Sequence, residues 1–263
     1  MNSGVLTFVT KGRAFNSVGT HQKFDREAYR LIRPFVKSGS FPHRQAILRF
    51  EGIGGPDGLK VKGNYSTDHL WDPINEIGKL PIWIESHFKS MVVALEKKDM
   101  VEASFHAGWM AHYLTDSLTP AHHVSHKLLA AEHEDSSKIR RNWLYWGRKG
   151  IMSSHVAFEA GISSSIVFSP IKSNFDAALY ERALKHGIAK VMQEESYKIA
   201  QLDLYDTFLK KGWSSKLARQ IKISVVPRIP QLIAVAWLVA YRQAGYEVSE
   251  NLISPRRSRK SIG

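Results

Sequence analysis

A chain of 263 residues fits one large domain or two small ones and can bury a sizeable core without covalent staples. Its hydrophobic content of 43% and charged content of 23% are ordinary for a globular protein, and the absence of cysteine excludes disulfides and thiolate metal ligands, so any bound metal must use nitrogen and oxygen donors. The formal net charge of +13 favours polyanionic partners: nucleic acid, anionic lipid headgroups or phosphate esters.

Residues 1–19 read as irregular, with Gly4, Gly12 and Gly19 among mixed polarity. The apolar run Val5–Val9 has no basic residues before it and is short for a signal-peptide core, so the chain as encoded reads as cytoplasmic. Thr20 is placed to cap a helix on which Phe24, Ala28, Leu31 and Ile32 recur at helical spacing until Pro34. A turn follows over Ser38–Pro42, a short helix is expected over Arg44–Glu51, and five glycines and a proline make 52–64 a loop. From Ile82 to about Lys98 the apolar pattern Ile84, His87, Phe88, Met91, Val92, Leu95 is helical. Lys97–Asp99 breaks it, and a second helix runs from Met100 toward Pro120.

Residues 123–150, rich in His, Lys, Arg and acid, read as a helical or irregular insertion. A helical stretch over Gly150–Gly161 precedes a Ser- and Pro-containing connector over 162–174. Phe175–Lys211 holds one or two amphipathic helices whose inner face is Ala178, Leu179, Ala183, Ile188, Val191 and Met192. Trp213–Tyr246 closes the chain with a helix interrupted near Pro227 and Pro230. Its most apolar part, Ile229–Tyr241, is too short to span a bilayer and reads as a buried helix. With few alternating patterns and no internal repeat, the expected fold is all-α: a single multi-helix domain over 1–250, then a basic tail over 251–263 expected to be disordered.

The chemistry concentrates in one segment, His112-Tyr-Leu-Thr-Asp116-Ser-Leu-Thr-Pro120-Ala-His122. His112 and Asp116 are four apart and share a helix face, while Pro120 ends or kinks the helix just before His122. A second pair at the same spacing is His155 and Glu159, and His21, Asp57 and His69 stand upstream. Such residues on buried helices are often no more than satisfied polar groups. As a set they are eight candidate donors, too many for one divalent ion and enough for two or three zinc ions if a carboxylate bridges. Asp116, between His112 and His122 in sequence, is the natural bridge.

This pattern resembles the zinc-dependent phospholipase C family of bacteria, which shares a fold with zinc-dependent single-strand nucleases. The core of the resemblance is His112-Tyr-Leu-x-Asp116-x-x-x-Pro120-x-His122. Thr20-His21, Gly52-Ile53-x-x-x-Asp57, His69-Leu-Trp-Asp72-Pro73 and His155-x-x-x-Glu159 match in the same order, and Pro227–Gly245 looks like the family's last helix. The resemblance implies an all-α body with a trinuclear zinc site. Asp57, His69, His112 and Asp116 would hold one ion, and Asp116 would bridge to a second on His21. His122, His155 and Glu159 would hold the third. Paired ions would activate a water against a phosphodiester, with Asp57 as the base or water-orienting residue as well as a ligand.

Two departures stand out. The family's mature N-terminal tryptophan gives its amine and carbonyl to the ion on the first histidine, whereas the first tryptophan here is Trp71, so that ion needs another ligand set or the centre is dinuclear. The aromatic residues that would cradle choline are replaced by Gly58 and Ser66. Three readings follow: a phospholipase C-like hydrolase acting on phospholipid or another phosphodiester at an anionic membrane surface, a single-strand nuclease, or a non-catalytic metal-stabilised module that binds anionic surfaces. Leu118-Thr119 before Pro120, and Glu159 as the last acid, resemble the lipase branch more than the nuclease branch.

Overall fold

A computed structural model describes residues 19–52, 54–56, 69–123 and 151–249, with only the backbone at 151 and 152. The helices in chain order are α1 (Thr20–Ile32), α2 (Arg44–Glu51), α3 (Leu80–Glu96), α4 (Met100–Leu118), α5 (Ile151–Ile166), α6 (Ala177–His186), α7 (Ile188–Ala200), α8 (Leu204–Lys211), α9 (Ser215–Ser224) and α10 (Arg228–Gln243). A 3₁₀ turn, Pro120–His122, follows α4, and β1 (Trp71–Asp72) pairs antiparallel with β2 (Ile77–Gly78) between α2 and α3. The expected all-α architecture is what the chain adopts.

The fold is arranged around α4. The Asp99 side chain caps it, accepting from the backbone N–H of Val101 and Glu102. From Ala107 to Leu118 every residue is buried, so this part of the helix has no solvent face. Two of its buried hydroxyls are satisfied within the helix: Thr115 donates to Ala111 O at 2.9 Å and Ser117 to Leu114 O at 2.9 Å. Thr119 Oγ1 donates back to Thr115 O at 2.8 Å, and Pro120, lacking an N–H, cannot extend the helix. The chain then turns in the 3₁₀ geometry that places His122.

Around α4 pack α3, α2, α10 and α7. α10 is buried continuously from Leu232 to Tyr241, and Trp237 Nε1 donates to Ala107 O at 3.1 Å. The span Ser215–Gln243 is long and apolar enough to cross a membrane by length and composition alone, but 72% of its apolar window is buried inside the molecule. α2 crosses α4 at Gly108, where an added Cβ would stand 3.0 Å from Ile47 O and 3.2 Å from Glu51 N. That absence of a side chain sets how closely Glu51 can approach α4.

Several sequence expectations shift. Thr20 is the first helical residue and not the cap; Gly19 holds that position, and the Thr20 hydroxyl pairs with Ser163 Oγ at 2.8 Å. The helix carrying Glu159 continues to Ile166, so the connector begins at 167. Phe175–Lys211 holds three helices, broken at Gly187 (φ 83°) and at Asp203 (φ 49°). Ala178 is exposed, whereas Leu179, Ala183, Ile188, Val191 and Met192 are buried. The closing segment is two helices, with Pro230 in the first turn of α10, where its missing N–H costs no intrahelical bond. The β1–β2 hairpin was not anticipated. Asp72 Oδ1 accepts from the backbone N–H of Ile74 and Asn75, at 3.0 and 3.1 Å, to form its turn. Most of the 123–150 insertion, most of the 52–64 loop and the 251–263 tail lie outside the described residues.

Where α3 meets α4, His106 Nε2 donates to Glu102 at 3.1 Å, because the carboxylate can only accept. His106 Nδ1 lies 2.9 Å from His87 Nδ1, so one of the two carries the proton between them. Burial lowers the pKa of both rings, that of His87 to about 4, with His106 adding to the effect there.

Two predictions follow from this packing. Replacing Gly108 with Ala gains roughly 1 kcal/mol of helix propensity but drives a methyl into backbone atoms of α2, a cost of about 1–3 kcal/mol. Gly108→Ala is thus expected to lower the denaturant midpoint, and Gly108→Val to lower it further; an unchanged midpoint for Val contradicts the close crossing. For His87, the unfolded ring binds a proton near its ordinary 6.5 while the folded ring does so only near 4. Stability from this group is complete above about pH 6.5 and is lost as pH falls toward 4, on the order of 3 kcal/mol across the window. His87→Gln is expected to flatten that acid limb of stability against pH, measured by urea unfolding at several pH values.

Candidate metal centre

The centre is built from six pieces of chain. α1 supplies His21, the end of α2 supplies Glu51, and the residue two before β1 is His69. α4 supplies His112 and Asp116, the 3₁₀ turn His122, and α5 the pair His155 and Glu159. Only His155 among these is more than marginally exposed. The structure therefore brings seven of the eight sequence-derived candidates into one buried cluster. The eighth, Asp57, lies outside the described residues.

Asp116 is the hub. Its Oδ2 lies 2.6 Å from His69 Nδ1 and 3.3 Å from His112 Nε2, and those two nitrogens are 3.2 Å apart. Its Oδ1 faces His122 Nε2 at 3.3 Å and His21 Nε2 at 3.7 Å, yet Oδ1 has no hydrogen bond. Burial alone would push the Asp116 pKa up, but His122 and His112 hold it well below the usual carboxylate range. The carboxylate is ionised.

Glu159 forms the second focus. His122 Nδ1 lies 2.9 Å from His69 O, and His155 Nδ1 lies 3.1 Å from Ala121 O. A backbone carbonyl only accepts, so both rings carry a proton on Nδ1. The Nε2 of each ring then faces Glu159 Oε1, at 3.0 Å in both cases. One carboxylate oxygen thus meets two imidazole nitrogens in a buried site. A further proton, or a cation held between them, satisfies that geometry.

The donor set fits a zinc-type ion. Bonds of about 2.1 Å meeting at tetrahedral angles place donors roughly 3.4 Å apart. Pairwise separations here run from 2.6 to 3.3 Å in the His69–His112–Asp116 group and equal 3.0 Å from Glu159 to each of its histidines. His69, His112 and Asp116 can hold one ion, and His122, His155 and Glu159 another. The Nδ1–carbonyl bonds behind His122 and His155 are the outer-shell contacts that fix tautomer and ring direction in metal sites. His21, Glu51 and His112 also lie close enough to hold an ion. A neutral imidazole has one lone pair, however, so His112 can serve only one of the two groups that include it.

Two acids in this cluster were missed from sequence. Glu51 is fully buried, 2.7 Å from His21 Nδ1 and 3.0 Å from His112 Nδ1. Its signal was an acid on the apolar face of α2, one turn after Ile47. Asp25 is 1% exposed with no hydrogen bond to either oxygen, and stands four residues after His21, the spacing of His112 and Asp116. His123, next to His122, donates its Nε2–H to Ser117 O at 2.7 Å, and burial lowers its pKa to about 4. Trp109 and Trp213 pack in the body: Trp109 donates to Gly54 O, and Trp213 covers Phe158 and Gly161.

No family model matches this sequence, and no curated protein does. Solved structures do. The alpha toxin from Clostridium absonum aligns over 92% of this chain and 66% of its own, with a TM-score of 0.53 at 15% identity. The alpha-toxin of Clostridium perfringens, isolated from avian strain SWCP, aligns over 88% of this chain and 64% of its own, with a TM-score of 0.56 at 16% identity. This chain shares the alpha-toxin fold. It spans just under two thirds of the length of each of these toxins.

Zinc binding to such a centre stabilises the folded state by mass action, by about 4 kcal/mol at a thousandfold excess over Kd. For a domain of this size the melting temperature is expected to rise by roughly 10 °C on adding zinc to chelator-treated protein. His155→Ala should shrink that rise. No bound zinc and an unmoved melting temperature would rule the centre out.

Proposed function

We propose that this protein is a zinc-dependent phosphodiester hydrolase of the phospholipase C type. The observation that carries this reading is the convergence of donors: Glu159 Oε1 between two imidazole Nε2 atoms, and Asp116 Oδ1 beside two more nitrogens with no hydrogen bond among the described residues. A buried group of this kind is stable around cations. The resemblance of His112-x-x-x-Asp116 and its companions to the phospholipase C family, together with the shared alpha-toxin fold, supports the reaction class.

His69, His112 and Asp116 would hold one ion, His122, His155 and Glu159 another, and His21 with the second oxygen of Asp116 a third. Bound zinc supplies Lewis acidity toward a phosphate oxygen and lowers the pKa of a bound water. The chain's own part is positional. Asp116, ionised and rigid in a fully buried helix, presents one oxygen to each side, and its two faces set the spacing of the two halves of the centre. Asp57 would orient the attacking water. The +13 charge draws anionic substrate, a phospholipid at an anionic surface on this reading. The same charge also favours single-stranded nucleic acid as the alternative substrate.

Asp116→Asn is expected to lower hydrolysis of bis-nitrophenyl phosphate at least 100-fold and to reduce bound zinc, with far-UV circular dichroism unchanged. Retention of the rate would refute the role of Asp116. Parallel assays on phospholipid vesicles and single-stranded DNA distinguish the two substrates, and silence on all three leaves a non-catalytic metal module.

A further inference from the structure

We infer that Glu51 is a positioning residue of the centre, taking the Nδ1 protons of both His21 and His112 and so turning both Nε2 lone pairs onto Asp116. This rests on the metal-centre reading above and adds to it a residue outside the donor sets proposed there. Four observations converge on it.

His112 Nδ1 lies 3.0 Å from Glu51 Oε1 in good hydrogen-bond geometry, while its Nε2 faces His69 and Asp116. His21 repeats the arrangement: Nδ1 is 2.7 Å from the same Glu51 oxygen, and Nε2 faces Asp116 Oδ1. The His21 contact is close but lacks hydrogen-bond geometry, and Nδ1 has no hydrogen-bond partner among the described residues. The two rings pack against each other, centroids 4.5 Å apart, so one oxygen can reach both.

His122 and His155 show the same plan with backbone carbonyls behind them. Three of the five histidines therefore present Nε2 inward with Nδ1 hydrogen-bonded from behind, and His21 presents Nε2 inward with Nδ1 against Glu51. Glu51 does for two rings what the carbonyls of His69 and Ala121 do for the others. It differs in being a carboxylate, with both rings against the same oxygen. A carboxylate behind a ligating ring fixes its tautomer and raises the basicity of the ligating nitrogen.

The location is enforced by backbone. Gly108 lets the last turn of α2 approach α4, and an added Cβ would lie 3.2 Å from Glu51 N. Glu51 is fully buried, so its charge has no solvent to turn to.

The test reads protons and zinc, not turnover. Ring ¹⁵N–¹H correlation spectra of the zinc-loaded protein are expected to show His21 and His112 protonated on Nδ1 and ligated through Nε2; a proton on Nε2 of either ring overturns the assignment. Glu51→Ala is expected to weaken zinc at the His69–His112–Asp116 position by roughly 10- to 100-fold, the usual effect of losing an outer-shell partner. Zinc at the His122–His155–Glu159 position should stay. Glu51→Gln, which keeps a carbonyl acceptor without the charge, should recover part of the loss. Wild-type affinity in Glu51→Ala overturns the proposal, and if that variant does not fold, the spectra of the wild type decide it. Zinc bound with these tautomers but no hydrolysis removes the enzymatic reading and leaves Glu51 in place. A wild-type chain that binds no zinc removes both.

Discussion

The crowding of buried carboxylates and imidazoles in the centre is the constraint on which the rest depends. Asp116 and Glu159 are buried carboxylates, and the nitrogens that surround them have their protons engaged elsewhere wherever a carbonyl fixes the tautomer. Such an arrangement is costly in a low-dielectric interior unless positive charge enters it. The scaffold must therefore hold the donors apart against their own preference to rearrange. It does so with α4, whose buried second half leaves no freedom for His112 or Asp116 to swing toward water. Packing supplies the rigidity and the polar groups spend it.

The same requirement explains why the donors come from five separate pieces of chain. A pair at i and i+4 on one helix offers two donors on one side of an ion, and a tetrahedral shell needs others from a different direction. α4 and α5 each give such a pair, the 3₁₀ turn after Pro120 brings His122 between them, and the hairpin at Trp71–Gly78 anchors the approach of His69. Gly78 (φ 128°) matters in that hairpin, because an added Cβ would stand 2.4 Å from Leu70 O. A small irregular element thus serves a site otherwise built on helices.

What could be read from sequence follows from which relationships are local. The pairs His112/Asp116 and His155/Glu159 were legible because helical periodicity fixes side-chain direction over four residues. The buried closing helix was legible because Ile229–Tyr241 is apolar on every face. The breaks at Gly187 and Asp203 were not, because propensity alone favoured continuing through Phe175–Lys211, and the terminations depend on positive φ values that composition only hints at. Glu51 was invisible as a site residue for another reason. Its role is created by a helix crossing at Gly108, a contact between positions 57 apart that no window along the chain contains.

Asp25 shows how far the environment, and not residue type, assigns protonation here. It is buried near Glu51 and His112, and both of its oxygens lack hydrogen bonds. Burial, followed by repulsion from Glu51, raises its pKa well above the usual range, whereas Glu51, supported by two imidazoles, stays low. Two neighbouring carboxyls cannot both ionise cheaply in such a place, so the one with nitrogen partners keeps the charge and the other keeps the proton. The centre's permanent negative charge then resides on Glu51, Asp116 and Glu159, each in direct contact with histidine. That distribution matches cations bound at the Asp116 and Glu159 foci, with Asp25 a protonated neighbour of Glu51. Asp25→Asn preserves that neutrality, so its effect on zinc should be small beside that of Glu51→Ala, which removes charge as well as an acceptor.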